Sequence, residues 1–431
     1  MIALELAEIE ALGLGALRGE ARGGVVTRVH ADSRLAEPGD LFVALNSGVG
    51  FVEAAVAAGA LALVPDDQHA ALAALASLVR GRSTARVVAV VGSTGKTSTK
   101  DALGALCSAV TPTVVAEGSL NNEIGLPLTV LRLEPDTRVL VTEMGMRGMG
   151  QIAELCEIAR PDVVVVTSIG PEHLELVGTV ANVARANAEA IAALAAGGVA
   201  VVPADSPALE PHLGRDDIEV RRFDRRAVER IGPCRFSFAV GGTAIELDLP
   251  FDARHLAENV LAALVAYDAL GLPLVRAQEG ASAIELSRWR TETHELPGGG
   301  LLINDAYNAN PTSMAAALRH LADVAAGRRT VAVLGEMAEL GDHAPAYHRE
   351  IAGVIRETGV DVLVTVGALA ELYAEGRAAV SHLVADRDGA EHALSETLRI
   401  GDVVLVKASR ASALEGIAGS AAKIASRWTP S

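Results

Sequence analysis

Seven short runs along the chain are nearly continuous in β-branched residues and leucine: Arg86–Val91, Val139–Glu143, Val163–Thr167, Leu301–Asp305, Thr330–Leu334, Val362–Val366 and Val403–Lys407. Runs of this length without polar alternation are the pattern of parallel strands covered by helices on both faces. Elsewhere the pattern changes to the three-to-four-residue spacing of an amphipathic helix, as at Ala102, Leu103, Leu106 and Val110. Alanine-rich stretches at Ala54–Ala60, Ala70–Ala76 and Ala188–Ala196 also read as helices. The prediction is α/β architecture with mostly parallel sheets.

Two breaks interrupt this pattern. The Gly- and Arg-rich stretch Val79–Arg86 and the run Leu296-Pro297-Gly298-Gly299-Gly300 divide the chain near 1–82, 83–296 and 297–431, with a hinge expected at Gly298–Gly300. At 431 residues, half of them apolar, each part is long enough for its own core.

Charge and composition narrow the function. A formal net charge of -17 without basic clusters argues against nucleic acid, and aromatics at 3% are too few for base-stacking platforms. No segment reaches the roughly 18 uninterrupted apolar residues of a membrane span, and the start, MIALELAEIEALG, lacks a basic region followed by an apolar core. A cytoplasmic protein without membrane insertion is expected. Cys107, Cys156 and Cys234 are far apart and lack metal-ligand spacing, which suits reduced buried thiols.

The chemistry starts where the first parallel-type run ends. Gly92-Ser93-Thr94-Gly95-Lys96-Thr97-Ser98 follows Arg86–Val91 and opens into a helical pattern. Glycines let the backbone bend and present N–H groups to a polyphosphate, the helix adds its positive end, Lys96 a cation, and Thr97 a hydroxyl for Mg²⁺. The loop is a short variant, because position 90, glycine in the standard spacing, is Val90. ATP or GTP binding is the expectation.

In parallel sheets ligands collect beyond the carboxyl ends of strands, so the polar residues there matter. Glu143 ends one run and could hold Mg²⁺, or be a surface acid. His173 follows another, as a metal ligand, a phosphate contact or a capping residue. Asp305 precedes Tyr307-Asn308-Ala309-Asn310-Pro311, a hydrogen-bonding cluster or an Asx-type cap. Lys407, Ser409 and Arg410 end the last run, bringing positive charge to an anion or forming a solvated loop.

Together these segments resemble the Mur ligases, and among them the MurF type. The resemblance covers nearly the whole chain: Asp32-Ser33-Arg34, Pro38–Leu45, the phosphate loop, Leu120-Asn121-Asn122-Glu123-Ile124-Gly125-Leu126-Pro127, Glu143-Met144-Gly145-Met146, Ala159–Asp162, Gly170-Pro171-Glu172-His173-Leu174, Asp305–Pro311 and Leu334–Gly341. It implies an N-terminal domain for the UDP part of the substrate, a central ATPase domain and a mobile Rossmann-like C-terminal domain. It also implies a monomer that uses ATP to activate UDP-MurNAc-tripeptide as an acyl phosphate, which D-alanyl-D-alanine attacks. By the same resemblance Lys96 neutralises phosphates, Thr97 and Glu143 hold the first Mg²⁺, and His173 helps hold a second. Asn121 and Asn122 lie near phosphate and peptide. Asn259 meets adenine, and Arg290, Asp305, Tyr307, Asn308 and Asn310 grip the nucleotide. Ser33 and Arg34 face uridine, and Lys407 and Ser409 the substrate.

The chain departs from that family in places. In that family the helix after the histidine usually carries a lysine carboxylated by CO₂; Asn187 stands at that position and cannot be carbamylated, so activity independent of bicarbonate is expected. The loop Asn46–Gly50 is short, and Leu256, Trp289 and Ala408 replace commoner residues. Asn187 and the short loop motivate a second reading, a nucleotide-binding regulatory or scaffold protein descended from such a ligase. A P-loop kinase or GTPase is a third, against which stands the Mur-like C-terminal third.

Overall fold

The computed structural model describes residues 1–20 and 22–425. Its centre is a six-stranded, wholly parallel sheet in the spatial order Glu219–Phe223, Val199–Pro203, Val163–Val166, Arg86–Val91, Val139–Glu143, Thr113–Val115. Both faces are dry, as the uninterrupted runs require. Val87, Ala89 and Val91 point into one core and Val88 and Val90 into another, the second closed by Leu103 and Leu106 of the helix Lys96–Ser108 and by the helix Arg254–Ala269. Val110, expected on the same helical face, lies beyond the helix end and is half-buried.

The third domain repeats the arrangement with Glu292–Leu296, Gly300–Asn304, Val403–Lys407, Thr330–Gly335, Val362–Val366 and Val380–Val384 side by side, all parallel except the first pair. That antiparallel pair corrects the expected boundary. Gly298 and Gly299, at φ +81° and +83°, make the tight turn of a hairpin inside this sheet. Hence Gly298–Gly300 is no hinge, and the third unit starts ahead of Glu292. The first domain is smaller, a four-stranded sheet in the order Gly15–Arg18, Leu61–Pro65, Asp40–Val43, Arg28–His30, backed by the helix Gln68–Arg82.

Most expected elements are present within a residue or two. The alanine-rich stretch at 188–196 is helical only to Ala192, and Cys234 is half-buried, whereas Cys107 and Cys156 are buried in surroundings that push their thiols up to about 12. Among the described residues no helix is long and apolar enough to cross a membrane.

One apolar core runs unbroken through all three units, from Leu72 and Leu75 through Ile152 and Leu155 to Met314 and Leu318. The third domain is thereby docked on the middle one, with the carboxyl ends of the central strands facing it.

Candidate active site

A cavity of about 1140 Å³ opens where the three units meet, lined by the phosphate loop, by Glu143 and His173, by Asp305 and Lys407 from the third domain, and by one face of the first-domain helix Gln68–Arg82. Its floor is the Gly92–Thr97 turn. Gly92 sits at φ +124°, and a Cβ there would lie 2.3 Å from Thr167 Oγ1. Gly95, at φ +89°, caps the helix Lys96–Ser108, and a Cβ there would lie 2.4 Å from Asn259 Oδ1. Both positions therefore demand glycine for space as well as for φ. The turn is fastened from behind: Ser93 N donates to Ser168 O at 2.8 Å, Thr94 N to Ser168 Oγ at 2.9 Å, and Gly92 N to Asn187 Oδ1 at 2.7 Å. Lys96, Thr97 and Ser98, at the positive end of the helix, line the cavity.

The charged groups are already paired with one another. Lys96 Nζ donates to Gly92 O and to Glu172, whose Oε1 is 3.3 Å away. Glu143, 1% exposed, accepts from Asn121 Nδ2 at 2.7 Å through Oε1, while its Oε2 is buried without a partner among the described residues. Thr97 Oγ1 accepts from Arg290 Nη2 at 3.0 Å, and the Arg290 guanidinium stacks 4.0 Å over the Tyr307 ring, with its Nε also buried and unpartnered. The Tyr307 hydroxyl meets Ser119 Oγ.

His173 is held from both sides. Its Nδ1 contacts Glu339 of the third domain, and its Nε2 lies 3.3 Å from Glu172 Oε1. Burial opposes the charged imidazole, but the hydrogen bond to Glu172 and the charges of Glu172 and Glu339 outweigh it and raise its pKa. Both ring nitrogens are thus engaged by carboxylates in this arrangement. Across the cavity Asp305 accepts from Lys407 Nζ at 2.6 Å and from Thr291 N at 3.0 Å, and Lys407 also donates to Asn308 O at 2.9 Å. Burial pushes the Lys407 pKa down and Asp305 opposes the shift.

Most residues expected from sequence converge here. Asn310 serves both readings of its cluster: its Oδ1 caps the helix Pro311–Ala325 and its Nδ2 reaches Thr94 Oγ1 at 2.8 Å. Asn122, Asn259 and Asn308 line the cavity. Ser409 does not; it is buried, accepting from Ala338 N at 2.8 Å and donating to Ala309 O. Ser33 and Arg34 are on the first domain away from this cavity, and Arg34 is paired with Asp32. The Gly92 N–H, expected to face phosphate, is taken by Asn187. Glu172, Glu339 and His255 carry the site without having been singled out. The first two stand inside quoted motifs, but their partners are 76 and 166 residues distant in sequence.

The donor set fits a hard divalent cation next to a polyphosphate: a hydroxyl at Thr97 and an unsatisfied carboxylate oxygen at Glu143. Among the described residues no three His, Cys, Asp or Glu side chains form a metal cage, so such an ion would rely on the nucleotide for its remaining ligands.

Comparison with known proteins agrees with this geometry. Residues 90–267 match the Mur ligase middle domain and residues 289–410 the Mur ligase glutamate ligase domain, whose start lies ahead of the Glu292 strand as the hairpin requires. The UDP-N-acetylmuramoyl-tripeptide–D-alanyl-D-alanine ligase of Bacillus subtilis is 32% identical over 91% of this chain and 92% of its own length. The Escherichia coli ligase of that name is 31% identical over 93% and 95%. Among solved structures, MurF from Acinetobacter baumannii superposes with a TM-score of 0.82 at 26% identity, covering 98% of this chain and 99% of that one. MurF ligase from Thermotoga maritima in complex with ADP gives 0.79 at 26% identity, over 93% and 98%. The chain belongs to the Mur ligase family and, within it, to the MurF ligases.

Proposed function

We propose that this chain joins D-alanyl-D-alanine to UDP-MurNAc-tripeptide at the expense of ATP, as a cytoplasmic monomer. The observation that carries the reading is the convergence of the Gly92–Thr97 cradle, Glu143 and the Asp305–Lys407 pair, drawn from two domains, on one cavity.

The tripeptide's terminal carboxylate oxygen takes the γ-phosphoryl group, ADP leaves, and the dipeptide amine attacks the resulting acyl phosphate. The tetrahedral intermediate expels inorganic phosphate, and the amine's proton is lost. No protein nucleophile is needed; alignment of two anions and neutralisation of their charge are. Lys96 and the N-terminus of its helix face the phosphates, Arg290 approaches from the third domain, and Asn259 stands against Gly95 on the nucleoside side. Thr97 and Glu143 are the residues that would hold Mg²⁺, which would supply charge neutralisation between phosphates and acceptor. Asn121 keeps the Glu143 carboxylate oriented. Ser33 and Arg34 are assigned to the UDP end. The scaffold reading is not favoured, because the groups that phosphoryl transfer requires are present and aimed at one space.

The test measures phosphate release and product mass with UDP-MurNAc-tripeptide, D-alanyl-D-alanine, ATP and Mg²⁺, omitting each in turn. Pentapeptide formation that needs every component is expected. ATP binding without ligation would overturn the assignment.

A further inference from the structure

Glu172 is 7% exposed and stands directly against the phosphate loop, its Oε1 and Oε2 at 3.3 and 3.5 Å from Lys96 Nζ. Lys96 also donates to Gly92 O, so its ammonium is turned back on its own loop and neutralised there. On its other side Glu172 Oε1 lies 3.3 Å from His173 Nε2; Glu339 holds His173 Nδ1, and Arg147 Nη2 lies 3.7 Å from Glu339. A chain of contacts thus runs from the phosphate-loop lysine through Glu172, His173 and Glu339 to Arg147, crossing from the middle domain to the third and back.

We propose that Glu172 is the resting counter-ion of Lys96: a positioning residue that parks the lysine while the site is empty and that an incoming nucleotide must displace. This rests on the reading of the cavity as an ATP site. A polyphosphate seated on the Gly92–Thr97 cradle needs Lys96 as its own partner. It also brings several negative charges up to a nearly buried carboxylate, where little water screens them. Nucleotide binding therefore exchanges one ion pair for another and adds like-charge repulsion. The exchange holds nucleotide affinity down and hands Glu172 over to His173, hence to Glu339 on the third domain.

This account fixes the sign of a mutational effect. Glu172→Gln keeps shape and hydrogen-bonding capacity but removes the charge, so a non-hydrolysable ATP analogue is expected to bind the full chain about tenfold more tightly or better, with and without Mg²⁺. A side chain that merely supports the fold would give the opposite, weaker binding when altered. The measurement is calorimetric titration of wild type, Glu172→Gln and Glu172→Asp, the last expected to show a smaller gain because its carboxylate is withdrawn by one methylene; it decides the matter if the Gln variant does not fold. Unchanged or weaker binding in a folded variant overturns the proposal. Weakening confined to Mg²⁺ also overturns it, making Glu172 a cation ligand instead. Failure of wild type to bind the analogue overturns the ATP-site reading itself, and this inference with it.

Discussion

Asn187 illustrates what a single residue decides. It is 2% exposed on the helix Val180–Ala192, accepts from Gly92 N at 2.7 Å and donates to Val183 O at 2.9 Å. The neutral amide thus fixes the first glycine of the phosphate loop and offers no amine to CO₂. Ligation is expected to proceed at the same rate in degassed, bicarbonate-free buffer, and stimulation by added bicarbonate would reject that. Asn187→Ala should cost about 1–3 kcal/mol of stability, since a buried N–H loses its acceptor; urea unfolding showing no loss would mean the loop holds itself. At this scale the sequence was informative wherever chemistry is local. Gly92, Gly95, Lys96 and Thr97 were readable because their spacing is itself the mechanism, whereas the bond from Asn187 to a residue 95 positions away has no one-dimensional signature.

Among elements, the segment Ala116–Asn122 ties the phosphate-loop helix to the third domain and to Glu143. Lys100, one helical turn beyond Lys96 and 1% exposed, donates to Ala116 O at 2.7 Å and Gly118 O at 2.9 Å and pairs with Asp101 at 2.6 Å. From that anchorage the segment sends Ser119 to Tyr307 of the third domain and Asn121 to Glu143. Lys100→Met would strand two carbonyls and remove the cation from a mostly buried carboxylate that keeps Ser287 N as a donor, so a loss of about 3 kcal/mol is expected, with a lowered urea midpoint at unchanged slope. A loss below about 1 kcal/mol would show that the segment is held otherwise. Elements were legible in proportion to their burial. The strands Val139–Glu143, Val362–Val366 and Val403–Lys407 match their runs to the residue, because strands covered on both faces are apolar over most of their length and show no polar alternation. Glu219–Phe223, an edge strand with exposed arginine and glutamate, has no such run, and the glycines at 298–300 look alike in a hinge and in a hairpin.

For the whole molecule the decisive contact is between the middle and third domains, and its ionisable groups give it a pH window. His255 of the helix Arg254–Ala269 meets His320 of the helix Pro311–Ala325 edge to face, ring centroids 5.5 Å apart. Burial, with His320 beside it, pushes His255 down to about 3 against the pull of Asp305; Lys407 adds to the depression. Burial likewise lowers His320, opposed by Asp305 and Asp323 and assisted by Arg230. A histidine with a depressed folded pKa takes up its proton on unfolding once the pH is below its ordinary value near 6.5. The stability it supports is complete above that value and is lost as pH falls, at up to about 1.4 kcal/mol per pH unit for each proton. His173 has the opposite sign. Its pKa is raised on folding, so the stability its pairs with Glu172 and Glu339 contribute is complete below the ordinary value and fades as pH rises through the raised one. Docking of the third domain should therefore weaken as pH falls below about 6.5, the acid limb belonging to the His255–His320 pair, and as pH rises through the raised pKa of His173. Thermal midpoints and small-angle scattering measured from about pH 5 to 8 should show a lower midpoint and a larger radius at the acid end. His320→Phe keeps an aromatic edge against His255 while removing one titrating group, and is expected to flatten that limb. A slope unchanged by the substitution would place the acid sensitivity elsewhere in the fold.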